Sequence, residues 1–477
     1  MRLYELLSGI AETSVPDREI TFITDNSGKI VMDCIFVCVR GRNFDGHTVA
    51  AEALEKGAYI VVADHDLGLG NHQIITDDTR EFYGKLCAAW FDHPERKMTF
   101  IGVTGTNGKT TMTNVIKHIL SKNGHKVGLV GTIQNEIGDK VYHTDNTTPM
   151  AFELMELFSR MAEEKCDTVV MEVSSFGLAQ KRIGTVHFRT AVFTNLTQDH
   201  LDYHKDMEDY FNAKKMLFDI CDYAVCNTDD EYGVRLFDGI KCRKCSYSVK
   251  GRADVYADVV KLKPDETSFW YCRSGKSYNI TMKMTGLFNV ANVTGAVAVC
   301  EDLGIPTDDI INAVSEYRGV KGRCEIIPTG RDFSVICDYA HTPDAIENIL
   351  RSVKEYTEGR LVCLFGCGGN RDSAKRPLMA KAAAKYADKL IITSDNPRNE
   401  KPEDIISDIL AGLSESSVPY DVITDRREAI YHSLKTAEKG DVIVLAGKGH
   451  EDYQILADNV HIHFDEREIV AEGLKKL

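Results

Sequence analysis

Residues Thr99 to Thr111 read T-F-I-G-V-T-G-T-N-G-K-T-T, and this stretch decides the fold. An apolar run ends in a turn carrying Gly102, Gly105 and Gly108, followed by Lys109, Thr110 and Thr111. Beyond them Val115, Ile116, Ile119 and Leu120 recur at helical spacing until Gly124. Strand, glycine turn, lysine, hydroxyl and helix is the layout of a phosphate cradle. Glycines let backbone N–H groups approach phosphate oxygens, and a helix N-terminus favours negative charge. In this reading Gly105, Thr106, Asn107, Gly108 and Thr111 line the cradle, Lys109 meets the β- and γ-phosphates of ATP, and the Thr110 hydroxyl faces Mg²⁺. The strict pattern wants a glycine where the chain has Val103, so the motif is a variant. An ordinary glycine-rich turn is the competing reading.

Working outward, the 477 residues suggest about three domains on the usual length relation. A formal net charge of −15 argues against a general nucleic-acid binder, which needs a basic face. An anionic substrate must then be met by local cations and backbone N–H groups. The N-terminal M-R-L-Y-E-L-L lacks the apolar core of a signal peptide, and no apolar run is long enough to span a bilayer. The 14 cysteines are scattered, many inside apolar runs (Cys34, Cys38, Cys337, Cys363). Cys242 and Cys245 form one C-x-x-C with no second pair at zinc-finger spacing. Reduced structural thiols in a cytoplasmic protein, without membrane insertion, are the expectation.

The fold class expected is α/β in three domains. Residues 1–97 form a small α/β domain, with strands Ile35 to Val39 and Tyr59 to Val62 around a helix from Val49 to Lys56. Polar turns at Asp25 to Ser27 and Arg40 to Gly46 lie at its strand ends. Residues 98–328 form a central phosphate-loop domain on a mostly parallel sheet. Its strands are Met98 to Val103, Val127 to Val130, Thr168 to Glu172, Thr190 to Thr194 and Tyr223 to Cys226. Residues 250–285 look less regular, with a small hairpin. Residues 329–477 form a doubly wound, Rossmann-like domain with strands Phe333 to Cys337, Leu361 to Phe365, Leu390 to Thr393, Tyr420 to Ile423 and Val442 to Leu445.

Ligands of such sheets bind at the carboxyl ends of the strands, and the notable polar groups fall there. Glu172-Val173-Ser174-Ser175 and Thr194 to His200 follow central strands. Asp338 to His341, Gly366 to Asp372, Ser394 to Arg398 and Gly447 to Glu451 follow strands of the last domain. Glu172 and His200 could share a metal with Thr110, or be a solvated carboxylate and a satisfied imidazole. Lys214 and Lys215 on a helix after Asp206 would ordinarily be a solvated face.

Taken together, G-T-N-G-K-T-T, N-T-T-P (Asn146 to Pro149), E-V-S-S, T-N-L-T-Q-D-H-L-D-Y-H, Ala213-Lys214, G-L-F-N, K-G-R-C-E (Lys321 to Glu325), D-Y-A-H-T-P and G-C-G-G-N-R-D resemble the Mur ligases. These are the ATP-dependent amide-forming enzymes of peptidoglycan precursor synthesis, and the resemblance covers essentially the whole chain. It is nearest the branch that adds the third, diamino residue. D-N-P-R at Asp395 to Arg398 is similar to the form that takes meso-2,6-diaminopimelate.

The resemblance implies that the first domain holds uridine diphosphate through Asn26, Ser27 and the loop near Asp45-Gly46, although T-D-N-S stands where the family commonly has D-S-R. Thr147, Thr148, Ser174, Gln180 and Arg182 would hold the muramoyl-dipeptide of UDP-N-acetylmuramoyl-L-alanyl-D-glutamate. Lys109, Thr110, Glu172 and His200 would serve ATP and its metals, with Asn289, Arg323 and Asp338 reaching the nucleotide from the other side. Lys214 matches the lysine that the family carbamylates with CO₂, making a metal-binding carboxylate. Arg371, Asp395, Asn396, Arg398, Gly447 and Glu451 match the diamino-acid site. A monomer closing about a hinge is expected. Alternatives are the same chemistry with L-lysine, a folylpolyglutamate-type ligase, a phosphate-loop ATPase switch and a non-catalytic nucleotide sensor.

Overall fold

The structure is a computed structural model describing residues 1–41, 44–201, 203–263 and 266–477. Arg42 and Asn43 of the expected 40–46 turn, and Asp202 of the motif ending at His204, lie outside the described residues.

Three large sheets follow one another along the chain. The first has four parallel strands in sequential order, Phe22–Thr24, Cys34–Val37, Ala58–Ala63 and Gln73–Ile75. Its two short outer strands escaped the sequence reading, because three residues leave no periodicity to detect. The expected helix there divides into a 3₁₀ turn, Gly46–Val49, and a short α-helix, Ala50–Glu55.

The central sheet has eleven strands. Its middle is parallel, with Phe188–Phe193, Thr99–Thr104, Thr168–Glu172 and Val127–Val130 side by side in that order. The last two are buried along their whole length, as strands covered on both faces must be. Phe100 meets Phe158 and Phe188 edge-to-face at centroid separations of 4.8 and 6.3 Å, each such pair adding about 0.5–1.5 kcal/mol beyond area burial. Helix Leu287–Asp302 is apolar nearly all round and is buried, packing on the phosphate-loop helix Lys109–Lys122.

Residues 250–285 are more regular than expected. Val255–Leu262, Thr267–Arg273 and Lys276–Met282 form an antiparallel meander that extends the central sheet through Tyr247 and Ser248. A second antiparallel extension, Asn135–Ile137 with Lys140–Tyr142, continues the other edge.

The third sheet has six strands, and Glu325–Ile327 is its antiparallel edge, so it begins ahead of residue 328. Ser334–Asp338, Val442–Ala446, Leu361–Phe365, Lys389–Ile392 and Tyr420–Val422 follow in spatial order, all parallel. Separate cores fill its two faces. Among the described residues no helix is long and apolar enough to cross a membrane.

Candidate active site

Four neighbouring strands of the central sheet end on one edge, and their next residues converge. Gly105 follows the central one with φ +146°, and a Cβ there would lie 1.9 Å from Thr194 Oγ1, so only glycine fits. The next strand end grips the loop. Thr194 Oγ1 donates to Asn107 O at 2.6 Å, the Asn107 N–H donates to Asn195 Oδ1 at 2.8 Å, and the Thr106 N–H donates to Asn195 O at 2.9 Å. The Thr106 hydroxyl sits between Thr197 and the Tyr210 hydroxyl. Thr111 is buried in the first turn of the helix that Lys109 opens after Gly108.

Lys109 curls back over this loop, donating to Gly105 O at 3.0 Å and Thr106 O at 2.8 Å. Lys214, whose helix residues read as a solvated face, is instead 1% exposed and donates to Gly105 O at 2.8 Å. Its Nζ lies 4.5 Å from the Tyr210 ring centroid. Burial holds Lys109 below the ordinary lysine value, against the pull of Glu172 and Asp199. Burial, and then the charge of Lys109, drive Lys214 well below it, with Asp199 opposing. Asp199 therefore acts on both lysines, a role that its place in a polar run did not signal.

Glu172 is 1% exposed and has well-defined partners. It accepts from Thr110 Oγ1 at 3.0 Å, and from Thr132 through the N–H and the hydroxyl, both at 2.9 Å. Thr147 reaches it indirectly, 3.0 Å from the Thr132 hydroxyl. Thr110 and Glu172 thus form a hard-oxygen pair of the kind Mg²⁺ prefers, so the donor set fits that ion. His200 has a left-handed backbone, φ +57°, with its ring 5.0 Å from Phe176 and Asp199 Oδ2 3.5 Å from Nε2.

Beside this centre Thr148 Oγ1 donates to Glu172 O and accepts from the Ser174 N–H, both at 3.0 Å. Arg182 donates to Thr148 O at 2.9 Å and to Gln180 Oε1. Gln180 and Arg182 line a cleft toward the first sheet, shared with Asp25 and Arg80. Asn26 and Ser27 form a self-capped turn, in which Asn26 Oδ1 accepts the Gly28 N–H at 2.9 Å. The cluster of His47, Asp64 and His65 is an ion-pair network with Asp45, and Arg40 lies on both carboxylates.

On the far side, Asn289 is buried and donates to Thr285 O at 2.8 Å. Arg323 stacks 4.6 Å from the Tyr339 ring centroid, and its Nε is buried with no hydrogen-bond partner among the described residues. Asp338 accepts from the Cys324 and Ala340 N–H groups, and burial raises its carboxyl against the pull of Arg323.

A second polar cluster occupies the carboxyl edge of the third sheet. Gly447, φ +115°, lies so close to Asp395 that a Cβ there would be 2.5 Å from Oδ2. Lys448, unassigned in the sequence reading, has a wholly buried ammonium, 2.5 Å from Asn396 Oδ1 and 2.9 Å from Glu451 Oε2. Asn396 Nδ2 donates to the same Glu451 oxygen at 3.0 Å. Arg398, φ +51°, donates to Gly369 O at 3.0 Å, and Arg371 is exposed on that neighbouring loop. The phosphate-loop cluster reaches the third-sheet domain through Asp344, at the start of helix Pro343–Lys354, which accepts from Asn107 Nδ2 at 2.9 Å and Thr197 Oγ1 at 3.2 Å. No local pattern announces a contact between residues 237 positions apart.

Comparison with known proteins agrees with the three-domain α/β fold. The Mur ligase middle domain matches residues 103–300, and the Mur ligase, glutamate ligase domain matches residues 322–449. A Caldanaerobacter subterraneus subsp. tengcongensis protein named UDP-N-acetylmuramoyl-L-alanyl-D-glutamate–2,6-diaminopimelate ligase is 46% identical, with 99% of each chain covered. A Clostridium acetobutylicum protein of the same name, numbered 1, is 43% identical, covering 99% of this chain and 98% of its own. A solved structure of a UDP-N-acetylmuramoyl-L-alanyl-D-glutamate–2,6-diaminopimelate ligase superposes with a TM-score of 0.74 at 30% identity, over 100% of this chain and 99% of that one. A Mycobacterium tuberculosis folylpolyglutamate synthase, 15% identical with a TM-score of 0.62, covers 83% of this chain and 94% of that one and shares the fold alone.

Proposed function

The chain belongs to the Mur ligase family, and from that premise we propose that it is the ligase adding meso-2,6-diaminopimelate to UDP-N-acetylmuramoyl-L-alanyl-D-glutamate with ATP. The observation that carries this reading is the pairing of a phosphate loop with an acid- and amide-lined strand edge in the next domain, the loop being joined to a helix of that domain by Asp344. One is suited to phosphates and the other to an amino acid, as amide synthesis from two substrates needs.

A carboxylate is a poor electrophile. Transfer of the γ-phosphoryl group to the D-glutamyl carboxylate gives an acyl phosphate, from which phosphate leaves when the amine attacks. Lys109 and the loop N–H groups offset the charge that develops as two anions approach. Thr110 and Glu172 would hold Mg²⁺, which neutralises phosphate charge when bound. Arg182, Gln180, Thr148 and Ser174 would orient the dipeptide arm, and Asp395, Asn396, Arg398 and Glu451 the diamino acid. Lys214 is suited to carbamylation, because a buried amine driven below its ordinary value carries the lone pair that adds CO₂. An N–C bond would form, one proton would leave the nitrogen, and a neutral amine would become an anionic oxygen ligand. The competing switch reading predicts ATP hydrolysis without an amine.

ADP release measured with the muramoyl-dipeptide nucleotide against a panel of amino acids tests the assignment. Release dependent on both the nucleotide and meso-diaminopimelate is expected. Release without any amine would favour the switch.

A further inference from the structure

Lys448 lies outside the set of residues expected to touch the diamino acid, yet its ammonium is fully enclosed within that cluster. It follows the strand Val442–Ala446, which runs between two parallel neighbours, so its loop emerges in the middle of the sheet edge. Its side chain is 0% exposed, and those of Asp395 and Glu451 are 11% and 13% exposed. A buried ammonium without partners is costly, and here three acceptors surround it. They are Asn396 Oδ1, Glu451 Oε2 and, at 3.8 Å, Asp395 Oδ1.

These contacts fix more than the lysine. Asn396 Oδ1 is occupied by Lys448 and by the Ile455 N–H at 2.9 Å, so its carboxamide cannot flip without losing both. The amide is left facing Glu451 through Nδ2. Glu451 Oε2 is in turn filled by Lys448 and Asn396, which leaves Oε1 to accept from a ligand. Asp395 and Glu451 would repel each other if nothing stood between them, and Lys448 does.

Resting on the diaminopimelate reading above, we infer that Lys448 is a positioning residue for the amino-acid substrate, orienting Asn396 and balancing Asp395 and Glu451 so that both carboxylates face an incoming ammonium. Lys448 itself touches no substrate in this assignment. The ionisation of Asp395 gives a separate handle. Burial, the largest single effect, would raise its carboxyl, but Lys448, then Arg426 and the Asn396 N–H, together with His341, hold it below the ordinary aspartate value. Tyr339, Tyr453 and Cys367 also lie within electrostatic reach. Without Lys448 the burial effect is met mainly by Arg426, and the carboxyl gains its proton at higher pH.

The test compares Lys448→Met with the unmutated enzyme at about pH 8 and about pH 6, measuring KM separately for meso-diaminopimelate, ATP and the muramoyl-dipeptide nucleotide. The expected result is a rise of about tenfold or more in KM for diaminopimelate, with the other two constants within about twofold. That rise should grow toward the lower pH as Asp395 protonates in the variant alone. Equal shifts in all three constants, or an unchanged diaminopimelate KM, would overturn the inference. If Lys448→Met does not fold, Lys448→Gln, which is uncharged but can still hydrogen-bond Asn396 and Glu451, takes its place. It too must show the selective KM rise, and an unmutated diaminopimelate KM in it would equally overturn the inference. Failure of the unmutated enzyme to use diaminopimelate at all would instead sink the functional reading.

Discussion

At the carboxyl edge of the central sheet, Lys109 and Lys214 both donate to the carbonyl of Gly105, at 3.0 and 2.8 Å, and carboxylates act only at longer range, Asp199 on both lysines and Glu172 on Lys109. At the same edge of the third sheet, Lys448 donates directly to the Glu451 carboxylate at 2.9 Å and to the amide of Asn396. Carbonyl oxygens are placeholders that an anion can displace, since a full negative charge binds an ammonium more strongly than a neutral dipole does. A carboxylate already holding a lysine is not displaced that way, and it orders the remaining acceptors around itself. On the proposed function the first region is suited to anions and the second to an ammonium, the contrast lying in what their lysines rest on.

Breaking the anion-receiving side should have the largest effect. Lys109→Ala is expected to lower turnover by about 10³-fold or more, because charge stabilisation in a phosphoryl-transfer site is lost. The side chain faces the loop and not the core, so the melting temperature should stay near that of the unmutated protein. Near-normal turnover in the folded variant would remove the ATP assignment from this loop.

Lys214→Ala comes next, with an expected loss of about 10²-fold or more if the residue supplies a metal-binding carboxylate. A small carboxylate added to the assay should restore part of the activity of this variant, and should do nothing for Lys109→Ala. Absence of any restoration, together with an unmodified lysine in the mass spectrum of the native protein, would argue that Lys214 acts only as a cation.

The phosphate loop was legible because its information is local. The glycines, Lys109 and Thr110 occur within a few residues, and the flanking apolar runs set strand and helix. The strand ends of both large sheets were legible for the same reason. What could not be read lies across the chain. The seclusion of Lys448 depends on Asp395 and Asn396, which come from the loop after another strand. The burial of Lys214 depends on Gly105, 109 positions earlier. Residues 255–282 looked irregular because several positions of that meander are exposed, so alternation is broken where it crosses the bulge between Asp258 and Lys261. Asn26 drew attention as a nucleotide contact, and its side chain caps its own turn, a competing use that asparagine's short amide always offers.

Smaller effects should sharpen the ammonium-receiving side. Arg398 now rests on the Gly369 carbonyl, a placeholder like those under Lys109, which leaves it open to a carboxylate. Arg398→Ala is expected to erase most of the preference for meso-diaminopimelate over L-lysine, a change of about 30-fold or more in the ratio of kcat/KM values, with little effect on the KM for ATP. A ratio unchanged by the substitution would place the distal carboxylate elsewhere.

Asp344→Ala should have the mildest consequence. It removes two hydrogen bonds between the sheets, to Asn107 and Thr197, each contributing about 0.5–1.5 kcal/mol net. The KM values of both halves of the reaction should rise by a few-fold together, because the variant loosens their juxtaposition and leaves each site intact. A change confined to one substrate would contradict a joining role for this residue.

The most direct test of the two opposed sites is kcat/KM of the unmutated enzyme for meso-diaminopimelate and for L-lysine, with ATP and the muramoyl-dipeptide nucleotide saturating. Lysine lacks the second carboxylate and would leave Arg398 without an anionic partner. The account predicts a preference for diaminopimelate of about 30-fold or more. Equal values, or a preference for lysine, would contradict it.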